Sequence, residues 1–171
     1  METMLSESKI EDAEQLLEDL KKSPQLSRGL VYTNDSALDA ILNFNAKKAK
    51  ALGISYMVKT NGISAPISMT ALDKSTVLSN ALTNAFEACE SVEDKFVVIT
   101  IASDKDKFKI CIENSSLPPK KANGIFLSTK SDIKNHGYGI TSMKTTIEKY
   151  NGNLSISYAD GITTLTIVTD N

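Results

Sequence analysis

The sequence predicts a single α/β domain over residues 31–171, preceded by a short extension over residues 1–30. A chain of 171 residues can bury one core but is too short for two ordinary domains. Apolar residues recur at helical spacing in several segments, and strand-like runs come in pairs separated by short polar turns, as in antiparallel hairpins. Hydrophobic residues make up 41% and charged residues 23%, which is typical of globular proteins.

Charge and cysteine content exclude several classes of function. A net charge of -2 and a pI near 5.5 argue against general nucleic-acid binding, which needs a basic field. Cys89 and Cys111 stand in apolar contexts without metal-ligand spacing, so we expect buried thiols rather than a zinc site or a disulfide framework. There is no apolar run of membrane-spanning length and no signal-peptide pattern after Met1, which predicts a soluble, cytoplasmic chain.

The extension contains a predicted charged helix, Ser6 to Lys22, which Pro24 ends. Its apolar residues follow the spacing of a coiled-coil seam and are Ile10, Ala13, Leu17 and Leu20. Because so short a helix is not stable alone, it must pack either on its own domain or on a second copy of itself as a homodimer. Both alternatives remain open from the sequence.

The next part of the chain predicts a helix between two strands. In order, we expect a short strand at Leu30 to Tyr32, a helix from Ser36 to Leu52 capped by Asn34 or Asp35 and ended by Gly53, a strand from Ile54 to Lys59, and a turn in the Gly62 to Pro66 region.

The most informative stretch is a predicted helix from Asp73, its expected N-cap, to Glu90. Its apolar stripe, which we expect to face the core, consists of Leu78, Ala81, Leu82, Ala85 and Cys89. A second, polar stripe consists of Asn80, Asn84, Glu87 and Ser91. Asparagine is a poor helix-interior residue, so two asparagines one turn apart require a functional or structural reason.

The second half of the domain predicts two hairpins, a lid and a helix. In order, we expect a hairpin of Phe96 to Ala102 with Phe108 to Glu113, a structureless lid from Asn114 to His136, and a helix from Tyr138 to Tyr150. A second hairpin follows. Leu154, Ile156 and Tyr158 alternate in its first strand, Asp160 and Gly161 form its turn, and Ile162 to Val168 forms its second strand.

Two features suit a phosphate-bearing ligand. An asparagine oxygen is a hard, neutral ligand for a magnesium ion that takes other oxygens from phosphates and water. The segment from His136 through Gly137, Tyr138 and Gly139 to Ile140 joins the lid to a helix, where glycines allow close approach and free N–H groups suit a phosphate. Taken alone, each feature also has an ordinary structural explanation: a solvated helix face for the asparagines and a tight turn for the glycines.

The order of the residues adds a resemblance. The segment NALTNAFEA closely resembles the N-box of the GHKL ATP-binding superfamily, which includes sensor histidine kinases, gyrase-type topoisomerases, mismatch-repair ATPases and Hsp90 chaperones. The resemblance implies that Asn84 is the magnesium ligand and that Asn80 lies beside the phosphates. The ATP-hydrolysing branches have a glutamate at the position of Asn80; because Asn cannot take a proton, the match favours phosphoryl transfer.

Two further boxes point to one branch of this superfamily. The segment STKSDIKNHGYGI resembles the second glycine box of histidine kinases of the peptide-sensing quorum-receptor type, the accessory-gene-regulator and VirS receptors. It implies that Lys130 reaches the phosphates, that Gly137 and Gly139 line their path, and that His136 touches nucleotide from the lid. GITTLTI, with Gly161, Thr163 and Thr164, resembles the last box, although a turn and a β-branched strand explain it equally well.

The triplet Glu113-Asn114-Ser115 departs from the common superfamily pattern Asp-Asn-Gly, in which the aspartate accepts from the adenine amino group. The quorum-receptor branch is similar here, with Asn followed by a small residue. The sequence leaves the adenine acceptor open between Glu113 and Asn114.

The resemblance covers roughly Asp35 to Val168 and implies the Bergerat fold: a two-layer α/β sandwich whose mixed, mostly antiparallel sheet is covered on one face by three helices. It implies ATP and Mg²⁺ as cofactors and Asn80, Asn84 and Lys130 as catalytic residues. The implied nucleotide-binding set is Asn80, Asn84, Glu87, Glu113, Asn114, Lys130, His136, Gly137, Tyr138, Gly139, Ile140 and Thr164.

The expected function is that of a histidine-kinase catalytic domain that donates the γ-phosphate to a histidine on a separate dimerisation domain, with a response regulator downstream. The extension would be a remnant of the dimerisation hairpin, and the parent protein would be anchored in the bacterial membrane. Two alternatives remain open: a serine kinase of the anti-sigma type and a non-catalytic nucleotide-sensing module.

Overall fold

The computed structural model describes residues 29–118, 120–122, 125–127 and 137–171. The chain divides into two units after Leu30, and the account below concerns the second, Val31–Asn171. The predicted helix from Ser6 to Lys22 lies outside the described residues, and so does its packing.

The described residues form a mixed sheet with three helices. The helices are α1 (Ser36–Ala51), α2 (Ala71–Cys89) and α3 (Gly137–Glu148). The strands are β1 (Ser55–Ile63), β2 (Phe96–Ser103), β3 (Lys107–Ser115), β4 (Lys120–Ala122), β5 (Ile125–Leu127), β6 (Asn153–Ala159) and β7 (Ile162–Asp170). Five strands pair in the order β1-β2-β3-β7-β6, parallel between β1 and β2 and antiparallel elsewhere. The predicted two-layer sandwich is confirmed.

Strand register defines an inner, helix-facing side of the sheet. Alternate residues of a strand point to opposite faces, so residues opposite one another on neighbouring strands share a face. The inner rows across β2, β3 and β7 are Ile101, Ile110 and Ile167, then Ile99, Ile112 and Leu165, then Val97, Asn114 and Thr163. The first two rows are buried and apolar, whereas in the third the polar Asn114 and Thr163 follow the buried Val97.

Helix α1 begins after Asp35, whose side chain accepts from the N–H of Leu38 at 2.9 Å, so one of the two predicted caps is confirmed. The strand predicted at Leu30 to Tyr32 is wrong. The N–H groups of Tyr32 and Thr33 instead donate to the Asp39 carboxylate, at 3.3 and 2.8 Å, and this removes them from any ladder.

Strand β1 extends further than predicted. Its register with β2 shifts between Thr60 and Ile63, and Gly62 adopts a φ of +71° in this irregularity. The turn predicted from Gly62 to Pro66 therefore starts inside the strand.

Helix α2 starts earlier than predicted, because Thr70 rather than Asp73 is its N-cap. The Thr70 hydroxyl accepts from the N–H of Asp73 at 3.1 Å and donates to its carboxylate at 3.0 Å, while the Thr70 N–H donates to the Tyr150 hydroxyl at 3.1 Å. That carboxylate also accepts from the Tyr150 hydroxyl at 2.6 Å and from Lys149 at 3.0 Å. Burial raises the pKa of Asp73, but the hydrogen bonds from Tyr150, Lys149 and Thr70 outweigh it and hold the pKa below its ordinary value.

The remaining elements largely match the predictions. The apolar stripe of α2 is buried, and Met143 and Ile147 of α3 pack in the same core. The hairpin β2–β3 is confirmed. The lid is not structureless throughout, because β3 continues to Ser115 and β4 pairs antiparallel with β5. Cys89 is a buried thiol, but Cys111 is partly exposed on the outer face. No helix in the described residues is long and apolar enough to cross a membrane.

Candidate functional site

The candidate site lies where the polar stripe of α2 meets the start of α3. Asn80, Asn84 and Glu87 are each partly buried, between the fully buried stripe and the exposed surface. Within the described part of the chain, the Asn84 side chain has no hydrogen-bond partner. A partly buried amide oxygen without a partner is available to a ligand.

Asn80 is held in one orientation by its own helix. Its Nδ2 donates to the carbonyl of Thr76, one turn earlier, at 2.8 Å. Its Oδ1 then faces α3, because a Cβ placed on Gly139 would lie 3.4 Å from that oxygen. Gly139 therefore leaves open space beside the Asn80 amide, which an added methyl group would fill at van der Waals distance.

The first turn of α3 has two features that favour anion binding. Helix α3 begins at Gly137, and the first four N–H groups of a helix have no partner within it. The aligned peptide dipoles add partial positive charge at this end. Gly137, Tyr138, Gly139 and Ile140 make up this turn, and Ile140 packs against the core. The structure thus brings Gly139 of this predicted segment beside Asn80.

Asn114 supplies a polar group on the inner face of the sheet. It is only 3% exposed, and its Nδ2 donates to the carbonyl of Ser115 at 3.0 Å. Its Oδ1 has no hydrogen-bond partner among the residues that the structure describes. An unpaired buried acceptor costs about 1 to 3 kcal/mol, so a bound donor would recover that free energy.

The structure separates Glu113 and Thr164 from the rest of the predicted set. These two residues oppose each other across β3 and β7, and their register places both on the outer face, away from the helices. Thr163 lies on the inner face instead, and its hydroxyl is 2.7 Å from that of Ser116. The sequence did not single out Ser116, although its spacing of two from Asn114 was the available signal.

A second polar cluster was not predicted at all. It consists of Thr70, Asp73, Lys149 and Tyr150, and it joins the start of α2 to the end of α3. Only the Thr-x-x-Asp spacing gave a local signal, because its other members lie more than 70 positions away. Lys130 and His136, two further predicted site residues, lie outside the described residues.

The residues described offer no carboxylate cage for a metal. No group of three or more His, Cys, Asp or Glu side chains in that part of the chain could hold an ion. A magnesium ion here would need Asn84, water and ligand phosphates as its oxygen donors, which is the mode that Mg²⁺ prefers.

Comparison with known proteins identifies relatives. The family model described as GHKL domain matches residues 69–169. The catalytic domain of histidine kinase ThkA, in a nucleotide-free form, superposes with a TM-score of 0.65 at 18% identity and covers 81% of this chain and 93% of its own.

Two further structures share the fold. The mycobacterial sensor histidine kinase MprB has a TM-score of 0.59 at 18% identity and covers 78% of this chain and 93% of its own. The blue-light activated histidine kinase of Erythrobacter litoralis has a TM-score of 0.60 at 12% identity and covers 90% of this chain and 69% of its own. No curated protein matches the chain. At these identities the structures establish the fold alone.

Proposed function

The chain belongs to the GHKL domain family, and from that premise we propose that it is the ATP-binding catalytic domain of a bacterial sensor histidine kinase. It would donate the γ-phosphate to a histidine on a separate dimerisation domain. The observation that carries the proposal is the unpaired Asn84 amide on the helix face that Asn80 joins to the first turn of α3.

Each polar group near this junction has a distinct role in the proposal. Asn84 is the protein ligand of Mg²⁺, which when bound supplies positive charge against the phosphate oxygens. The N–H groups at the start of α3 bind phosphate, and Lys130 adds a point charge. Because the Asn80 amide cannot take a proton, the site lacks a general base at that position, and this favours transfer to a partner over hydrolysis.

For the adenine base we propose Asn114 rather than Glu113. Asn114 lies on the inner face, in the row that ends the apolar core, and carries an unpaired acceptor oxygen. Glu113 points to the other side of the sheet. A flat, apolar base would lie against the core residues while its amino group donates to Asn114.

The finer identity is also a proposal. The branch of peptide-sensing quorum receptors is supported by the STKSDIKNHGYGI segment and by an asparagine followed by a small residue after Glu113. Such a protein would be anchored in the membrane elsewhere in its sequence, place this domain in the cytoplasm, and pass its phosphate to a response regulator.

The decisive experiment adds a purified helical hairpin bearing the acceptor histidine to the chain, with γ-labelled ATP and Mg²⁺. The unaltered chain should label the hairpin. Asn84→Ala should lower the rate at least about 100-fold, because one positioned group at a phosphoryl-transfer site carries effects of this size. Asn153→Ala, an exposed asparagine on β6, is the matched control and should label normally. Undiminished labelling by Asn84→Ala, with an unchanged melting temperature, would refute the assigned role.

A second candidate is favoured by the Glu113-Asn114-Ser115 triplet, which departs from the common Asp-Asn-Gly. If the departure has removed phosphoryl transfer, the domain is a nucleotide-sensing module. Calorimetric binding of Mg-ATP without labelling of any acceptor would favour it. Labelling of a serine on a separate antagonist protein would instead identify a serine kinase of the anti-sigma type.

A further inference from the structure

The exposed side of α1 carries positive charge in a segment that has no carboxylates. Residues 40–72 include four lysines and no Asp or Glu, although the net charge of the chain is -2. Lys47, Lys48 and Lys50 are exposed on α1, and Lys59 is exposed on β1, the edge strand of the sheet, which α1 contacts. Within the part of the chain that the structure describes, none of the four forms a salt bridge.

Two large apolar side chains are exposed beside these lysines. Phe44 is 46% exposed and lies three and four positions before Lys47 and Lys48, so it is their neighbour on the helix surface. Leu52, the C-cap of α1, is 41% exposed. Lysines in the last turn of a helix also complement its dipole, but the dipole does not account for exposed apolar residues among them. We call Phe44, Lys47, Lys48, Lys50 and Leu52 together the basic face of α1.

The core of the domain fixes the direction of the basic face. The opposite side of α1 is buried through Leu38, Ile41, Leu42 and Ala49, so the helix cannot rotate to pair its lysines elsewhere. The Lys48 ammonium lies 5.8 Å from the ring centroid of the buried Phe86. An aromatic ring attracts a cation but does not neutralise it, so the charge stays available to an anion.

The composition of the basic face fits an anionic lipid surface better than a protein partner. Lysine is depleted in protein interfaces, where arginine is preferred because it binds carboxylates through two hydrogen bonds, and residues 31–171 contain no arginine. A layer of anionic headgroups is broad and needs no directed pairs, and apolar side chains can enter the boundary between headgroups and acyl chains.

We infer that the basic face of α1 binds anionic phospholipid surfaces, with its lysines at the headgroups and Phe44 and Leu52 at the acyl boundary. One lysine near such a surface raises partitioning about fivefold, so a few lysines give weak, reversible binding that salt weakens. This inference goes beyond the proposed function and does not depend on it, because the candidate nucleotide site lies between α2 and α3.

Vesicle sedimentation tests the dependence on lipid charge. The full chain is mixed at low salt with vesicles of phosphatidylcholine alone, or of an equal mixture of phosphatidylcholine and phosphatidylglycerol. We expect partitioning into the mixed vesicles to be at least about tenfold greater, and to fall as salt is added. Equal partitioning into the two kinds of vesicle, or no binding to either, would overturn the inference.

Two triple variants with the same change in charge locate the binding surface. The substitutions are Lys47→Gln, Lys48→Gln and Lys50→Gln in the first variant, and Lys105→Gln, Lys107→Gln and Lys109→Gln in the second. Glutamine keeps a similar helix propensity and removes the charge. The first variant should partition at least about tenfold less than the unaltered chain. The second, altered at exposed lysines of the β2–β3 hairpin, should stay within about twofold. Equal losses would mean that only net charge matters, and would overturn the inference.

A tryptophan reports whether the apolar side chains enter the lipid, because the chain has no tryptophan of its own. Leu52→Trp places one on the basic face, and Leu72→Trp places one on α2, where Leu72 is 61% exposed. Mixed vesicles should shift the emission of Leu52→Trp to shorter wavelength and leave that of Leu72→Trp unchanged, since an indole at the interface leaves water. Lysine-dependent sedimentation without this shift would point to an acidic protein as the partner, and would overturn the inference.

The outcomes separate this inference from the proposed function. Asn84→Ala, which should lose phosphoryl transfer, should sediment with mixed vesicles like the unaltered chain. A folded chain that binds these vesicles but not Mg-ATP would refute the proposed function alone. A chain that binds Mg-ATP but not the vesicles would refute only the lipid-binding role of α1.

Discussion

The two ends of the α2–α3 pair treat their polar groups in opposite ways. At the start of α2, the Asp73 carboxylate accepts from Thr70, Lys149 and Tyr150, so both of its oxygens have a hydrogen-bond partner. At the other end, Asn84 has no hydrogen-bond partner among the residues described. The helices run antiparallel, so both arrangements belong to one interface. Polar groups that satisfy one another stabilise the fold, whereas those left open are available for a ligand.

Each end of the α2–α3 pair also has a glycine, and the glycine at the closed end is the more tightly packed of the two. A Cβ on Gly152 would lie 2.7 Å from the Ile147 carbonyl and 2.8 Å from Thr169 Cγ2. Among the residues that the structure describes, a Cβ on Gly139 would meet only the Asn80 side chain, at 3.4 Å. One glycine is required by packing, and the other leaves room beside the candidate site.

The largest expected effect on stability is at the closed end. Asp73→Ala removes the carboxylate that accepts from the Tyr150 and Thr70 hydroxyls, and should lower the free energy of unfolding by about 2 to 4 kcal/mol. The ion pair with Lys149, whose side chain is 57% exposed, adds less than about 1 kcal/mol to this. Denaturant unfolding measures the change. Because the site lies at the far end, the folded variant should bind Mg-ATP normally; a loss of affinity larger than fivefold would show that the two ends are coupled.

The next effect in size comes from Gly152→Ala. The new methyl group collides with a backbone carbonyl, which cannot move without shifting the end of α3, so we expect a loss of about 1 to 3 kcal/mol. Thermal unfolding measures it. An unchanged melting temperature would contradict the tight packing around this residue.

Gly139→Ala is the matched change at the open end, with a smaller effect of a different kind. Its methyl group would come to rest against the Asn80 amide at 3.4 Å and take up the open space beside it. We expect nucleotide affinity to fall about three- to tenfold while stability changes by less than about 0.5 kcal/mol, since alanine is the better helix former. If stability fell as much as in Gly152→Ala, the contrast between the two ends would be wrong.

The smallest effect is a pH dependence. Hydrogen bonds hold the pKa of Asp73 below its ordinary value, so its stabilisation is fully present above that ordinary value and is lost as pH falls through the lower, folded-state pKa. The difference in unfolding free energy between the unaltered chain and Asp73→Asn should therefore be constant above about pH 5 and shrink below about pH 4. A difference that grew on acidification would show that the pKa is raised instead.

Helical spacing in the sequence predicted the open end of the α2–α3 pair better than the closed end. The buried stripe of α2 and the two asparagines one turn apart follow from helical spacing, which the sequence displays directly. The cap did not follow, because Thr70 and Asp73 are both good capping residues and the choice depends on Tyr150, a partner 77 positions away. Burial of the Asp73 carboxylate is decided by tertiary contacts that no local window contains.

The base contact shows the same limit. The sequence left Glu113 and Asn114 as alternatives, because neighbouring residues of a strand differ only in which face they occupy. Only the pairing of β3 with β2 and β7 establishes that Asn114 faces the helices. The resemblance carried Thr164 into the predicted set, although the register places Thr163 on the inner face. Lys130 and His136 stay predictions.

The connection between β1 and β2 has a consequence for how a ligand is received. These are the parallel neighbours in the sheet, and α2 is the segment that crosses from one to the other. The segment before α2 is fixed to the sheet by a hydrogen bond from the Ser64 N–H to the Ser103 carbonyl. The last turn of α2 is fixed by a hydrogen bond from the Cys89 thiol to the Phe96 carbonyl. The backbone around Asn84 is therefore held in place before anything binds. Little backbone conformational entropy remains to be lost at that residue when a ligand binds.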